Sequence, residues 1–124
     1  MERITSNSAP DAIGPYVHAT RSENIIFTSG QIGLNPQTSK LAEGIEEQAK
    51  QTLENLENIL ESSSSDFEHV LKATIYLDDL DNFSKVNSIY QNYFNENFSA
   101  RSAIEVSKLP MGAKVEIELI AETK

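Results

Sequence analysis

Apolar residues recur at Ile45, Ala49, Leu53, Leu56 and Leu60, in steps of four, four, three and four, the spacing of one face of an α-helix. The Glu and Gln residues between them read as its wet side. Glu43, Glu46 and Glu47 put negative charge where the helix dipole favours it, and no proline or glycine interrupts the run after Gly44. A helix over 45–60 is predicted, with the four serines at 62–65 as the loop that follows. Beyond them Leu71, Ala73, Ile75 and Leu77 alternate with Val70, Lys72, Thr74 and Tyr76, the period of two of a strand with one apolar face. Asp79 to Asn82 breaks that alternation. Phe83, Val86, Tyr90 and Phe94 then resume helical spacing, which predicts a second helix over 82–95 with Asp81 as its N-cap.

The C-terminal quarter reads as strands over 101–107 and 114–121, with Leu109-Pro110-Met111-Gly112 as the connecting turn. In the last strand Val115, Ile117, Leu119 and Ala121 face one way, and Glu116, Glu118 and Ile120 the other. Around Ile25 to Ile32 a further strand pair is expected, with Gly30 inside the apolar run and Asn35-Pro36 turning the chain. The order of strands, helix, strand, helix, strands predicts an α+β layer, two helices on one face of a mixed sheet, formed by residues 1–124 as one domain. The other sheet face keeps apolar residues at alternate positions. Another copy of the chain is the expected cover.

Composition narrows the chemistry. Among 124 residues there is no cysteine, which removes disulfides, thiolate metal sites and thiol nucleophiles. The longest apolar runs are as short as Ile25-Ile26-Phe27, against about 20 residues for a membrane span, so a soluble, cytoplasmic protein with no membrane partner is expected. Nineteen acidic residues outnumber ten basic ones, for a net charge of −9. The excess is concentrated in residues 43–68, with eight acids and one lysine, and reads as the solvated face of the first helix. No basic cluster is present to displace counterions, so nucleic acid is not an expected partner. His18 and His69 belong to no spaced ligand motif, and the five glycines form no phosphate-binding fingerprint, so neither metal nor nucleotide cofactor is expected.

What remains is Arg101, in Ser99-Ala100-Arg101-Ser102-Ala103 at the start of a strand, where small neighbours leave the guanidinium uncrowded. Its planar fork suits a carboxylate, yet the pattern alone favours a structural salt bridge to Glu116 or Glu118. Gly14-Pro15-Tyr16 is a rigid turn presenting a phenol, either a packing aromatic or a site residue. Thr28-Ser29-Gly30-Gln31 is polar within an apolar stretch, and Gly30 reads as a bulge or as a point of ligand approach. His18 reads as a hydrogen-bonded interface or surface residue rather than a base.

Four blocks together resemble the Rid family of reactive intermediate deaminases, also called YjgF-like proteins, and in particular its RidA type. They are Ala9-Pro10 through Ala12-Ile13-Gly14-Pro15-Tyr16, Thr28-Ser29-Gly30-Gln31-Ile32, Val86-Asn87-Ser88-Ile89-Tyr90, and Ala100-Arg101-Ser102 continuing to Leu109-Pro110 and Val115-Glu116-Ile117-Glu118. The resemblance implies a chorismate-mutase-like α+β fold, a homotrimer with ligand clefts between chains, and cofactor-free hydrolysis of 2-imino acids such as 2-iminopropanoate and 2-iminobutanoate to 2-oxo acids and ammonia. It implies Arg101 as the carboxylate-binding residue, Glu116 as the water-handling glutamate and Tyr16 as the pocket tyrosine. Ser29, Gly30 and Asn87 match the remaining polar lining, and the carbonyl near Ala103 would help to place the water. Ala103 stands where many relatives have cysteine, Ser99 where they have proline, and Val17-His18 where Ser-Gln is common, departures that bear on substrate preference. A non-catalytic trimer binding small carboxylates or a regulatory partner is the alternative. A ribonuclease or translation inhibitor, roles attached to some relatives, is opposed by the acidic charge.

Overall fold

The computed structural model describes all 124 residues. Along the chain run strands β1 (Glu2–Ile4), β2 (Ala19–Ser22) and β3 (Ile25–Thr28), helix α1 (Ile45–Ser62), strand β4 (Val70–Leu77), helix α2 (Phe83–Phe94), and strands β5 (Ala100–Glu105) and β6 (Val115–Glu122). The strands form one mixed sheet in the order β1-β2-β3-β6-β4-β5. β6 runs antiparallel between β3 and β4, while β5 lies parallel to β4 at the edge, with α2 as the crossover that a parallel pair needs. The two C-terminal strands are therefore not paired with each other: β4 lies between them. β1, at three residues, is too short to show a period.

The predicted helical faces form the core. Ala49, Leu53, Leu56 and Leu60 of α1 and Val86, Tyr90 and Phe94 of α2 are buried against Ala73, Ile75 and Leu77 of β4 and Val115, Ile117, Leu119 and Ala121 of β6. Each large aliphatic side chain so buried contributes about 1.5–3 kcal/mol. Tyr90 stacks on Phe94 with ring centres 4.2 Å apart, and Phe67 tilts against Phe94 at 4.8 Å. The opposite sheet face is open, with Phe27, Leu71 and Ile104 exposed by 49%, 42% and 46%. No helix is long and apolar enough to cross a membrane.

Four local expectations are corrected. In β4 the ladder slips between Val70 and Lys72, so Val70 is buried and Leu71 is turned out of the apolar face. α2 is entered through a 3-10 turn, Leu80–Asn82, whose cap is Asp79: its side chain accepts from the Asp81 N–H, and Asp81 caps nothing. The strand expected to run on from Ile25 to Ile32 ends at Thr28 as β3, and Gln31 makes only an isolated bridge to Ile117. On α1, Gln48 does not face water. With Thr52 and Asn55 it is buried, because residues 31–35 and the start of β6 pack there and bring backbone groups that need partners. Gln48 Oε1 accepts from the Lys114 N–H, and Asn55 Nδ2 donates to the Ile32 and Leu34 carbonyls.

The serine run is more ordered than a plain loop. Ser62 ends α1, and the Ser64 and Ser65 N–H groups donate back to Glu61 and Leu60 in a Schellman-type stop. Ser64 holds the left-handed conformation, at φ +62°, usually left to glycine. Ser65 Oγ donates to the Glu122 carbonyl, fastening the stop to the end of β6.

Candidate functional site

Glu116 projects from the start of β6, a central strand of the sheet, on the open face, opposite Tyr76 of β4. Beside it the chain at Ser29–Gln31 is clipped into place. Gln31 and Ile117 exchange backbone hydrogen bonds of 2.9 and 3.0 Å, the Ser29 N–H donates to the His18 carbonyl, and Ser29 Oγ donates to the Val17 carbonyl at 2.7 Å. Gly30 leaves room for the Glu116 side chain, which lies over it: a Cβ on Gly30 would stand 2.8 Å from Glu116 Cδ and displace the carboxyl from its present position. The Gly30 N–H makes no hydrogen bond within the chain, which leaves a donor next to the carboxyl.

These residues border a cavity of about 360 Å³, with Tyr16, Ser29, Gly30 and Glu116 on its polar side and Ile13, Ile32, Leu34 and Pro110 on its apolar side. Tyr16 is exposed, and its hydroxyl oxygen accepts a 3.4 Å contact from the Ile13 N–H within the same turn. Burial, and next the neighbouring Glu118 carboxylate, push the Glu116 carboxyl above the ordinary range. A carboxyl so placed takes up a proton more readily than one in water.

Arg101 lies elsewhere. It pairs in register with Ala73, whose side chain is buried beneath the helices, so Arg101 belongs to the helix side of the sheet and Glu116 to the open side. Its guanidinium carbon stands 5.1 Å from the centre of the Phe83 ring and 5.0 Å from that of Tyr90, and Nη1 donates to Asn87 Oδ1 at 2.8 Å. Phe83, Asn87 and Tyr90 share one stripe of α2, so a single helix face carries both aromatic supports and the hydrogen-bond acceptor. No carboxylate neutralises Arg101, and the salt bridge to Glu116 or Glu118 that the pattern favoured is not formed. The guanidinium borders a second cavity, of about 530 Å³, with Asn87, Tyr90, Phe98 and Ser99. The Tyr90 and Ser99 hydroxyls are buried beside it.

Of the residues singled out from the sequence, Tyr16, Ser29, Gly30 and Glu116 are thus gathered in one cavity and Arg101 and Asn87 in another. Ala103 lines neither. It pairs with Ile75 on the edge strand and packs against the core. His18, expected at an interface or surface, is instead buried inside the chain: Nδ1 accepts from the Ser6 N–H at 2.9 Å, and Nε2 donates to the Pro10 carbonyl at 2.7 Å. Both ring nitrogens are used to hold the 6–10 segment beside the first cavity. The aromatic support of Arg101 was missed because Phe83 and Tyr90 read simply as core positions of an amphipathic helix.

Comparison with known proteins places these features in context. The family described as Endoribonuclease L-PSP matches residues 6–123. The chain is 44% identical over 119 residues to a human protein named 2-iminobutanoate/2-iminopropanoate deaminase, covering 95% of this chain and 87% of that one. Among solved structures it is similar to the YjgF gene product of E. coli, with a TM-score of 0.95 and 39% identity over the whole of both chains. It is equally similar in shape to E. coli TdcF with bound serine, with a TM-score of 0.96 and 35% identity, again over both whole chains.

Proposed function

The chain belongs to the Endoribonuclease L-PSP family, the Rid or YjgF-like family that its sequence blocks resemble, and from that membership we propose that it is a 2-iminobutanoate/2-iminopropanoate deaminase working at clefts between copies of a homotrimer. The observation that carries this reading is the unneutralised pair, Arg101 and Glu116. Each borders a cavity, and they stand on opposite faces of one sheet, so a substrate touching both must lie between two chains. The open sheet face and the edge strand are the surfaces that such an assembly would bring together. The net charge of −9 gives no support to the nuclease named in the family description.

In this reading Arg101, set by Asn87 and the two rings, binds the substrate carboxylate of the 2-imino acid. The Tyr16 hydroxyl and the Ser29–Gly30 backbone line the imine end, with the Gly30 N–H as a donor. Glu116 orients a water against the imine carbon. The water oxygen bonds to C2 while the C=N π electrons move to nitrogen, and the water's proton passes to Glu116 and from it to nitrogen. In the collapse of the carbinolamine Glu116 takes the remaining hydroxyl proton and returns it to nitrogen, the O–H electrons re-form the C=O bond and the C–N bond breaks, releasing ammonia and the 2-oxo acid. An imine carbon is already electrophilic, so orientation and a proton path are the main demands, and the reaction needs no cofactor. Ala103 contributes at most its carbonyl. The setting is read as cytoplasmic, alongside enzymes that release enamines from hydroxy-amino acids.

The test is a coupled assay: a serine or threonine dehydratase is run with and without this protein, and the 2-oxo acid is followed. Faster release of 2-oxo acid is expected. An unchanged rate with folded, assembled protein would favour the alternative, a trimer that binds small carboxylates without turning them over.

A further inference from the structure

The open face carries a second carboxylate for which the reaction above has no use. Glu118 stands one pleat from Glu116 on β6, and its Oε1 accepts a short hydrogen bond from the Tyr76 hydroxyl. Tyr76 is the register partner of Glu116, whereas Glu118 is opposite Thr74. The bond therefore runs diagonally across the ladder and draws the Glu118 carboxylate toward Glu116. Left free, a flexible glutamate beside a like charge relaxes away from it. We propose that Tyr76 and Glu118 are positioning residues for Glu116: the phenol tethers Glu118 so that its negative charge stays beside Glu116 and governs how firmly Glu116 holds the proton it moves. This inference rests on the deaminase reading of the same site.

The surroundings leave Glu118 as the main charged influence within the chain. Just before β6, the exposed Lys114 is the other nearby charged residue, and it makes no ion pair. β4 presents Tyr76 and, further along, Lys72 opposite Ile120. β5 presents only the uncharged Ser102 and Ile104, opposite Thr74 and Tyr76. The segment on the far side of the cavity brings Tyr16 and Asp11. In the proposed trimer a second copy's Arg101 would also face the cavity, engaged by the substrate carboxylate.

The chemistry of the pair suits a permanent tether. The hydrogen bond to Glu118, with lesser help from burial and the two carboxylates, pushes the Tyr76 phenol up to about 12, so it remains a donor throughout the neutral range. Burial and then Glu118 push Glu116 up. A proton carrier works best when its affinity lies near the working pH, so raising a carboxylate from its ordinary range serves the transfer from water to nitrogen.

The test uses the full chain and its Tyr76→Phe and Glu118→Gln variants. The Glu116 side-chain carboxyl is titrated by 13C NMR, and kcat/KM is measured against pH after correction for spontaneous imine hydrolysis. Glu116 acts as the base when ionised, so activity falls as pH drops through its pKa. In both variants Glu116 is expected to titrate at lower pH, and the acid limb of kcat/KM to move down with it. An unmoved or raised Glu116 titration in Glu118→Gln overturns the proposal, and Tyr76→Phe, which removes a single oxygen, supplies the same decision should Glu118→Gln fold poorly. An active wild type with unmoved titrations rejects the tether alone. An inactive, folded wild type rejects the deaminase reading, and the NMR titration still decides whether the tether acts on Glu116.

Discussion

Glu116 is presented by a central strand and Arg101 by an edge strand, and the two are secured in different ways. Around Glu116 the backbone does most of the work: Gln31 and Ile117 exchange two hydrogen bonds, Ser29 is held to Val17 and His18, and Gly30 leaves room for the carboxyl. Around Arg101 the contacts are made by side chains of one helix, two aromatic rings at about 5 Å and one amide oxygen at 2.8 Å. The sheet ladder fixes the backbone from which Glu116 projects and the Ser29–Gln31 segment beside it, so the frame of that half-site can move only if the ladder does. The exposed Arg101 guanidinium is held by the buried Tyr90 and by the half-buried Phe83 and Asn87, so it can be adjusted through Phe83 and Asn87 with little disturbance of the core, which sets a rigid half-site against a tunable one.

The largest expected effect is on the rigid side. Glu116→Gln removes the proton carrier and should lower kcat by about 100-fold or more, while a 2-oxo acid still binds. Equal loss of binding and turnover, measured by calorimetry and the coupled assay, would make Glu116 structural and erase the distinction between the halves. On the tunable side Arg101→Ala loses a charged hydrogen bond worth about 1.5–3 kcal/mol and should reduce kcat/KM roughly tenfold to a hundredfold. Its melting temperature should stay near that of wild type, because the guanidinium is exposed.

Co-expression of these two variants tests whether the halves meet across chains. If each cleft takes Arg101 from one copy and Glu116 from its neighbour, random assembly leaves about one cleft in four intact, so mixed trimers should recover about a quarter of wild-type activity. A mixture no more active than its components would place both groups on one substrate within a single chain, against the geometry of the sheet. The smallest effect is expected at Phe83→Leu, which keeps apolar cover but removes a cation–π contact worth about 0.5–1 kcal/mol at an exposed site. A rise in KM of roughly twofold to fivefold with kcat unchanged would confirm that the ring only orients the guanidinium.

Much of the molecule was legible from local pattern. The faces of α1 and α2, the buried set of β6 and the order of elements follow from side-chain periods of 3.6 and 2, which are properties of short stretches of chain. The slip at Val70 and the burial of Gln48 and Asn55 were not legible, since each depends on a distant segment arriving at that spot. The site divides in the same way. Arg101, Glu116, Tyr16, Ser29, Gly30 and Asn87 could be singled out by residue type and family blocks. Phe83 beneath Arg101 and Tyr76 against Glu118 carried no signal beyond helical and strand spacing.

The amino-acid sequence by itself determined which side of each strand and helix is apolar, because neighbouring residues along an element set its period and phase. Tertiary structure alone decided that β6 inserts between β3 and β4, so that Glu116 meets Gly30 and Tyr76 while Arg101 is carried to the other side of the sheet. Period and phase are local quantities, whereas strand order and register arise from contacts between residues far apart in the chain, and only those contacts bring functional groups together or hold them apart.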